Sequence, residues 1–230
     1  MTPLVLLPGM MCDARLYGPQ VAAISGRRAV HLAPIGGHDT MAALAAEVLA
    51  HAPPRFALAG LSMGGIVAME VLRQAPGRVE RLALLDTNPR AEAPEIQAHR
   101  GPQIEKARAG GLADVMRDEM KPNYLARGPR RSDILDLCMA MATDLGPAVF
   151  ERQSRALAAR PDSQASLAAF RGPALVLMGA EDRLCPRDRH DLMHDLIEGS
   201  RLAIVEGAGH LPTLEQPEQT SAELIRWLEE

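Results

Sequence analysis

A G-x-S-x-G pentapeptide at residues 60–64, with Ser62 at its centre, constrains this chain more than any other feature. A short apolar run at 56–59 precedes it, and residues 63–74 carry apolar side chains at positions suited to a buried helix. A strand, a tight turn and a helix in that order form a nucleophile elbow, in which small residues let the backbone turn sharply and expose the serine. We therefore interpret Ser62 as a nucleophile. The alternative is a glycine-rich turn that carries an ordinary surface serine.

Short apolar runs recur along the chain and are separated by stretches with helical periodicity. Six of these runs are continuous rather than alternating, which is typical of parallel strands covered on both faces. The order of strands and helices predicts an α/β fold with a doubly wound, mostly parallel sheet of about six strands. The predicted strands are 4–7, 29–32, 56–59, 82–85, 175–178 and 202–205, and the predicted helices are 16–25, 41–51, 63–74, 187–197 and 214–228.

The interval between the fourth and fifth predicted strands is too long for a single crossover. Helix-like pieces punctuated by glycine and proline fill it, which predicts a helical cap at about 90–168 inserted into an α/β core of 1–89 and 169–230. Methionines at helical spacing are usually core residues, but here they suggest an adaptable apolar pocket wall. The side chains predicted to face this pocket are Met116, Met120, Leu135, Met139 and Leu145.

A serine nucleophile needs a base to take its proton and a carboxylate to orient that base. After a nucleophile elbow, these partners follow in the chain order serine, acid, histidine. His210 lies in the loop after the last predicted strand and is the predicted base. Asp182, in the loop after the strand at 175–178, is the predicted acid. The alternatives for the acid are Asp86, which ends the preceding strand, and Glu181.

An acyl-transfer site also needs two N–H donors directed at the oxyanion of the tetrahedral intermediate. The N–H of Met63, at the start of the helix after the nucleophile, is the first predicted donor. The second is predicted in the loop after the first strand, where Gly9 lets the backbone turn and Met10 supplies the N–H, with Met11 as the alternative. Met11 is also a predicted pocket residue, as is His38 in the loop after the second strand.

Composition and charge disfavour several other classes of protein. The net charge is −4 and no basic run occurs, which argues against nucleic acid and anionic membranes as partners. Three separated cysteines, Cys12, Cys138 and Cys185, together with an N-terminus that has no secretory leader pattern, predict a cytoplasmic protein with free thiols. His190 and His194 are spaced to share a metal, but no H-E-x-x-H pattern accompanies them. We expect neither a metal nor an organic cofactor.

Taken together, four segments resemble the α/β-hydrolase superfamily, and the resemblance covers nearly the whole chain. The chain is most similar to small capped esterases, enol-lactonases and cofactor-free haloperoxidase-like proteins. Such proteins usually have His-Gly in the first loop, where this chain has Pro8 and Gly9, so the loop must be held in another way. A serine nucleophile also argues against haloalkane dehalogenases and epoxide hydrolases. The four segments are Leu-Leu-Pro-Gly-Met at 6–10, Gly-Leu-Ser-Met-Gly-Gly at 60–65, Gly-Ala-Glu-Asp-Arg at 179–183 and Gly-Ala-Gly-His-Leu-Pro at 207–212.

These features and the resemblance predict a serine hydrolase that cleaves a carboxylic ester of a small to medium, largely apolar molecule through an acyl-enzyme. A lactonase, a C–C bond hydrolase, a thioesterase and an acyltransferase would use the same triad. A non-enzymatic ligand-binding protein on the same fold is the alternative from another class. The sequence leaves the oligomeric state open. Cap arginines that could bind a substrate carboxylate, and so favour the lactonase or the C–C hydrolase, are Arg127, Arg130, Arg131 and Arg155.

Overall fold

A computed structural model describes all 230 residues of the chain. Its centre is one six-stranded sheet with the order β2-β1-β3-β4-β5-β6, and every neighbouring pair of strands is parallel. The predicted six-stranded α/β sheet is therefore confirmed. The strands are β1 (Leu4–Leu7), β2 (Val30–Leu32), β3 (Phe56–Leu61), β4 (Val79–Leu85), β5 (Ala174–Gly179) and β6 (Arg201–Val205).

Ten α-helices surround the sheet, and the two that follow β2 and β3 begin and end where the sequence predicted. Thr40 begins the first of these two, because its side chain accepts a hydrogen bond from the N–H of Ala43 at 3.2 Å. The helices are α1 (Gly18–Ile24), α2 (Met41–His51), α3 (Met63–Gln74), α4 (Pro94–Lys106), α5 (Leu112–Asp114), α6 (Arg131–Ala158), α7 (Gln164–Ala169), α8 (Arg187–Leu196), α9 (Pro212–Glu215) and α10 (Pro217–Glu229). No helix combines the length and the apolar character that a membrane span requires.

Burial along the strands depends on their position in the sheet. Every residue of β3 and β5 is buried, as expected for central strands with helices on both faces. The prediction of burial on both faces is wrong for the edge strands. In β2, His31 and Leu32 are exposed, and in β6, Ile204 is 39% exposed.

Residues 90–168, called the insertion below, leave the sheet after β4 and return before β5, and they contain α4 to α6 and most of α7. The two ends of the insertion meet, because the N–H of Ser163 donates to the carbonyl of Pro89 at 2.8 Å. The longest helix, α6, bends at Gly146, whose φ of 78° is readily adopted by glycine. The two ends of the insertion therefore lie together, beside the carboxyl end of β4.

Candidate active site

Ser62 occupies a strained turn between β3 and α3. Its backbone has φ 54° and ψ −116°, a conformation that residues with a side chain rarely adopt. Hydrogen bonds of its backbone groups hold it there. Its N–H donates to the carbonyl of Leu85 at 2.9 Å, and its carbonyl accepts from Thr87 Oγ1 at 2.7 Å and from the N–H of Gly65 at 2.9 Å. The surrounding structure therefore fixes the direction in which the Ser62 side chain points.

Close backbone contacts explain the glycines of the motif. A Cβ at residue 60 would lie 2.2 Å from the carbonyl oxygen of Gly64, and one at residue 64 would lie 2.1 Å from the carbonyl oxygen of Leu7. At Gly65 a Cβ would meet the Thr87 side chain at 2.7 Å. The turn thus has the close packing that a nucleophile elbow needs.

His210 and Asp182 form a buried pair at the carboxyl ends of β5 and β6. Nδ1 of His210 lies 2.9 Å from Oδ2 of Asp182, and these residues are 3% and 6% exposed. Oδ1 of Asp182 accepts the N–H groups of Leu184 at 2.8 Å and Cys185 at 3.1 Å. Because the carboxylate of Asp182 accepts this hydrogen bond, we assign the ring proton of His210 to Nδ1. Nε2 of His210 is then unprotonated and can accept a proton from Ser62 Oγ.

The protonation of Asp182 follows from these contacts. Burial by itself would raise the pKa of the carboxyl group. The charge and hydrogen bond of His210, with the N–H groups of Cys185 and Leu184, outweigh burial and lower the pKa below its ordinary value. Asp182 is therefore ionised at neutral pH and is the carboxylate that contacts His210.

Neither alternative acid contacts His210 in this way. Asp86 is fully buried and its Oδ1 accepts the N–H of Gly179 at 2.9 Å, whereas Oδ2 has no partner. Burial, reinforced by the nearby charge of Asp182, raises the pKa of Asp86 well above its ordinary value. Glu181 is exposed. The hydrogen bond of Asp86 reaches the end of β5 rather than His210.

Glu215 holds the histidine loop and was not anticipated from the sequence. Its carboxylate accepts the N–H groups of Gly209 and Leu211, on either side of His210, at 2.9 to 3.0 Å, and that of Ala126 in the insertion at 2.8 Å. The N–H of His210 itself donates to the carbonyl of Tyr124 at 2.7 Å. The sequence did contain a signal for this role: an acidic residue lies five positions after His210, in a short helix that begins with Pro212.

The loop after β1 brings Met10 to the same cavity as Met63 and Ser62. The N–H of Met11, the alternative oxyanion donor, is already engaged with Oε1 of Gln153 at 2.9 Å. Gln153 Nε2 in turn donates to the carbonyl of Ile35 at 3.0 Å. Gln153, from the insertion, therefore holds the loop that lacks the family's histidine, and Met10 is the free candidate of the two.

One large cavity, of about 970 Å³, adjoins Ser62 and His210. Of the predicted pocket residues, Met120 lines it. Met11 and Met116 are buried in the hydrophobic core and Met139 is partly buried against it, and none of these three lines the cavity. His38 is not among the residues that line the cavity: it is exposed, and its ring lies 3.8 Å from Glu47. It follows β2, which lies at the edge of the sheet, with β1 between it and the serine strand.

The arginines suggested for carboxylate binding are not among the residues that line this cavity. Arg130 and Arg131 donate to the backbone carbonyls of Leu214 at 2.6 Å and Leu125 at 2.5 Å. Arg155 pairs with Glu151 at 2.9 Å and Arg127 is exposed. Four other arginines line the cavity, and no local pattern distinguished them in the sequence: Arg90, Arg100, Arg160 and Arg189.

Two groups of side chains near the site bring potential metal-ligand atoms within 4.8 Å of one another. The first comprises Asp182, Cys185 and His210, and the second Asp86, Asp182 and His190. His194, once paired with His190 by spacing, bonds to Ser200 Oγ at 2.8 Å instead. Because both groups include Asp182, a metal in either would compete with the contact between Asp182 and His210.

A parallel sheet with a strained serine turn and a buried acid–histidine pair at its carboxyl edge is characteristic of α/β hydrolases. The model of the α/β hydrolase family matches residues 4–223, and the chain belongs to that family. A pimeloyl-[acyl-carrier protein] methyl ester esterase of Aliivibrio salmonicida is 26% identical over an alignment 252 residues long, gaps included. The alignment covers 98% of this chain and 92% of the relative.

Solved structures agree with this assignment. A thermophilic esterase from Thermogutta terrifontis, with malate bound, has a TM-score of 0.92 and 29% identity, covering 100% of this chain and 90% of that one. The enol-lactonase of Burkholderia xenovorans LB400 has a TM-score of 0.87 and 24% identity, covering 100% and 92%, and shares the fold. The prediction of an esterase-like α/β hydrolase is confirmed.

Proposed function

We propose that this protein is a serine carboxylic-ester hydrolase whose nucleophile, base and acid are Ser62, His210 and Asp182. The observation that carries the proposal is the buried 2.9 Å contact between His210 and Asp182, beside the cavity that the strained Ser62 also lines. Nucleophile, base and orienting carboxylate are the three groups that acyl transfer through a serine requires.

In the proposed acylation step, Nε2 of His210 takes the proton of Ser62 Oγ as that oxygen attacks the ester carbonyl. The ionised Asp182 stabilises the imidazolium and keeps Nδ1 protonated. The N–H groups of Met63 and Met10 would stabilise the oxyanion, with Met63 at the positive end of α3. His210 then protonates the leaving alcohol, and the acyl-enzyme remains on Ser62.

In deacylation, His210 takes a proton from a water molecule, and the resulting hydroxide attacks the acyl carbonyl. The second tetrahedral intermediate collapses, His210 returns the proton to Ser62 Oγ, and a carboxylic acid leaves. This sequence consumes one ester and one water, and yields one alcohol and one acid. Side chains and backbone of this chain carry out every step.

The insertion would serve as a cap that supplies one wall of the substrate pocket. Met120, Tyr124 and Leu157 of the insertion line the cavity, with Met10 and Ile66 of the core. Apolar walls of this kind suit an ester with a small to medium acyl chain. Because the A. salmonicida relative is an esterase for a methyl ester, we propose a small-molecule methyl ester as the substrate class.

The test is hydrolysis of p-nitrophenyl and methyl esters of increasing acyl length by the wild type and by Ser62→Ala. Wild-type turnover should show a chain-length optimum, and the variant should lose several orders of magnitude in kcat. The exposed Ser25→Ala is the matched control and should be fully active. A Ser62→Ala enzyme with more than about a tenth of wild-type activity would rule out Ser62 as the nucleophile.

Two further measurements separate the alternatives. Ser62-dependent turnover of lactones but not of open esters would identify a lactonase. A fluorophosphonate probe that fails to label Ser62, together with no turnover, would favour a non-enzymatic ligand-binding protein.

A further inference from the structure

Three side chains in the wall of the active-site cavity form a buried charged cluster, called the Arg-Glu-Arg cluster here. It consists of Glu92, Arg100 and Arg160, whose side chains are 2%, 13% and 11% exposed. All three line the cavity that also contains Ser62 and His210. A buried charge is costly unless it is paired, so the pairing within the cluster decides what the wall presents to a ligand.

Within the cluster, one carboxylate serves two guanidinium groups. Arg100 bonds to Glu92 through Nε and through Nη2, the latter at 2.8 Å. Nη1 of Arg160 lies 3.2 Å from Oε1 of Glu92, and its Nε donates to the carbonyl of Arg90 at 3.1 Å. The cluster thus has one positive charge more than it has negative charges. Nη1 of Arg100 and Nη2 of Arg160 take part in none of these bonds.

The positive charge of Arg160 lies in a buried environment that disfavours it. Burial lowers the pKa of Arg160, the carboxylate of Glu92 opposes that effect, and the neighbouring Arg100 adds to it. A buried guanidinium group remains charged, and burial removes the water that would hydrate it. An anionic oxygen that takes the place of this water stabilises the charge. Arg160 is also near enough to Cys185 for each to affect the pKa of the other. Arg160, Cys185, Ser62 and His210 all line one cavity, so an anion held at the cluster and an ester held at Ser62 would occupy the same space.

We infer that the Arg-Glu-Arg cluster binds an anionic group, a carboxylate or a phosphate, at the far end of the ester substrate. The inference rests on the proposed esterase function and names the substrate class of the same site. Apolar side chains, including Leu157 and Met120, line the same cavity and suit the chain between the ester and the anion. The preferred substrate is therefore an ester that is apolar in the middle and negatively charged at its other end.

The first experiment compares esters that differ only in the terminal charge. Methyl heptanoate is neutral, monomethyl heptanedioate ends in a carboxylate, and the phosphate monoester of methyl hydroxyhexanoate ends in a phosphate. At low ionic strength, kcat/KM should be about tenfold or more higher for the anionic esters, since a hydrogen bond to a charged group contributes that much. Whichever anion gives the larger preference identifies the source of the negative charge. Equal rates, or a preference for methyl heptanoate, would overturn the inference.

The second experiment assigns the preference to the cluster. Arg160→Gln should remove most of the preference, measured as the ratio of kcat/KM for the anionic ester to that for methyl heptanoate. Arg155→Gln, which alters an insertion arginine that pairs with Glu151 and is not among the cavity-lining residues, should leave the ratio unchanged. The cluster also joins the two ends of the insertion, so the variant can lose stability. Such a loss would lower kcat/KM for both esters alike and would leave their ratio unchanged. An unchanged ratio in both Arg160→Gln and Arg100→Gln would contradict the assignment.

A binding measurement keeps this test separate from the proposed function. In Ser62→Ala, calorimetry should show tighter binding of monomethyl heptanedioate than of methyl heptanoate, and adding Arg160→Gln should abolish the difference. If wild-type protein hydrolyses neither ester but this binding difference is present, the esterase proposal fails and the anion site stands. If turnover is present without any binding difference, the anion site fails and the esterase proposal stands.

Discussion

Asp182 and Asp86 lie next to each other behind His210, and the structure favours opposite protonation states for them. One oxygen of each, with a ring nitrogen of His190, falls within a group of atoms less than 4.8 Å apart. The contacts of Asp182 lower its pKa, whereas burial and the charge of Asp182 raise that of Asp86. Two carboxyl groups at this separation cannot both ionise without strong repulsion. The negative charge therefore resides on Asp182, and Asp86 carries a proton.

This arrangement predicts that the two aspartates respond differently to the same substitution. Asp182→Asn should lower kcat by about a thousandfold or more, because an amide cannot stabilise the imidazolium of His210. Asp86→Asn should cost less than about tenfold, because asparagine has the shape of the protonated acid and can still accept the N–H of Gly179. Steady-state kinetics of both variants on one p-nitrophenyl ester tests this. The reverse order of losses would assign the acid to Asp86.

The buried proton of Asp86 also predicts a pH dependence of stability. In the unfolded chain this carboxyl group ionises near pH 4, whereas in the folded protein it does so at a much higher pH. Between these values the folded state holds one more proton, so the free energy of unfolding falls by up to about 1.4 kcal/mol per pH unit as the pH rises. Asp86→Asn removes this loss of stability with rising pH, because asparagine does not titrate. Urea unfolding at about pH 5 and pH 8 should therefore show the variant gaining stability relative to wild type at the higher pH. A pH-independent difference would mean that Asp86 is ionised when folded.

Gln153 provides a test of the oxyanion loop that does not alter the proposed triad. Gln153→Leu removes the acceptor for the N–H of Met11 and the donor to the carbonyl of Ile35, so the loop that carries Met10 loses its anchor. We expect kcat to fall by about ten- to a hundredfold with little change in KM, because an oxyanion donor acts mainly in the transition state. Gln153→Glu keeps an acceptor for Met11 and should lose less. A folded Gln153→Leu enzyme with wild-type kcat would show that this loop takes no part in catalysis.

Much of the fold could be predicted because its signals are local. The helices α2 and α3 and the position of each strand follow from periodicity, and the G-x-S-x-G motif locates the serine turn. The order of the strands across the sheet has no such signal, since it depends on which distant segments pair. The position of His38 shows this: the strand before it lies at the sheet edge, separated from β3 by β1.

The residues of the candidate site also divide into those with a local signal in the sequence and those without one. Ser62, Asp182 and His210 each follow a strand, so a rule about strand ends was enough to propose them. Gln153 and Met11 are 142 positions apart, and the contact that relates them exists only after the insertion has folded onto the core. The cavity arginines depend on such long-range packing too, because the sequence does not distinguish a cavity-facing guanidinium from one bonded to a carbonyl.

Gly64 allows the packing of the serine turn to be tested directly. A Cβ at this position would lie 2.1 Å from the carbonyl oxygen of Leu7, a backbone atom that cannot move without displacing β1. Gly64→Ala should therefore destabilise the protein by several kcal/mol or prevent soluble expression, and should abolish turnover by the fraction that folds. Gly101→Ala is the matched control, since Gly101 is also helical and a Cβ there meets nothing within 4 Å. It should leave activity unchanged and raise the free energy of unfolding by up to about 1 kcal/mol. If thermal and urea unfolding show equal stability for the two variants, the close approach of α3 to β1 does not constrain residue 64.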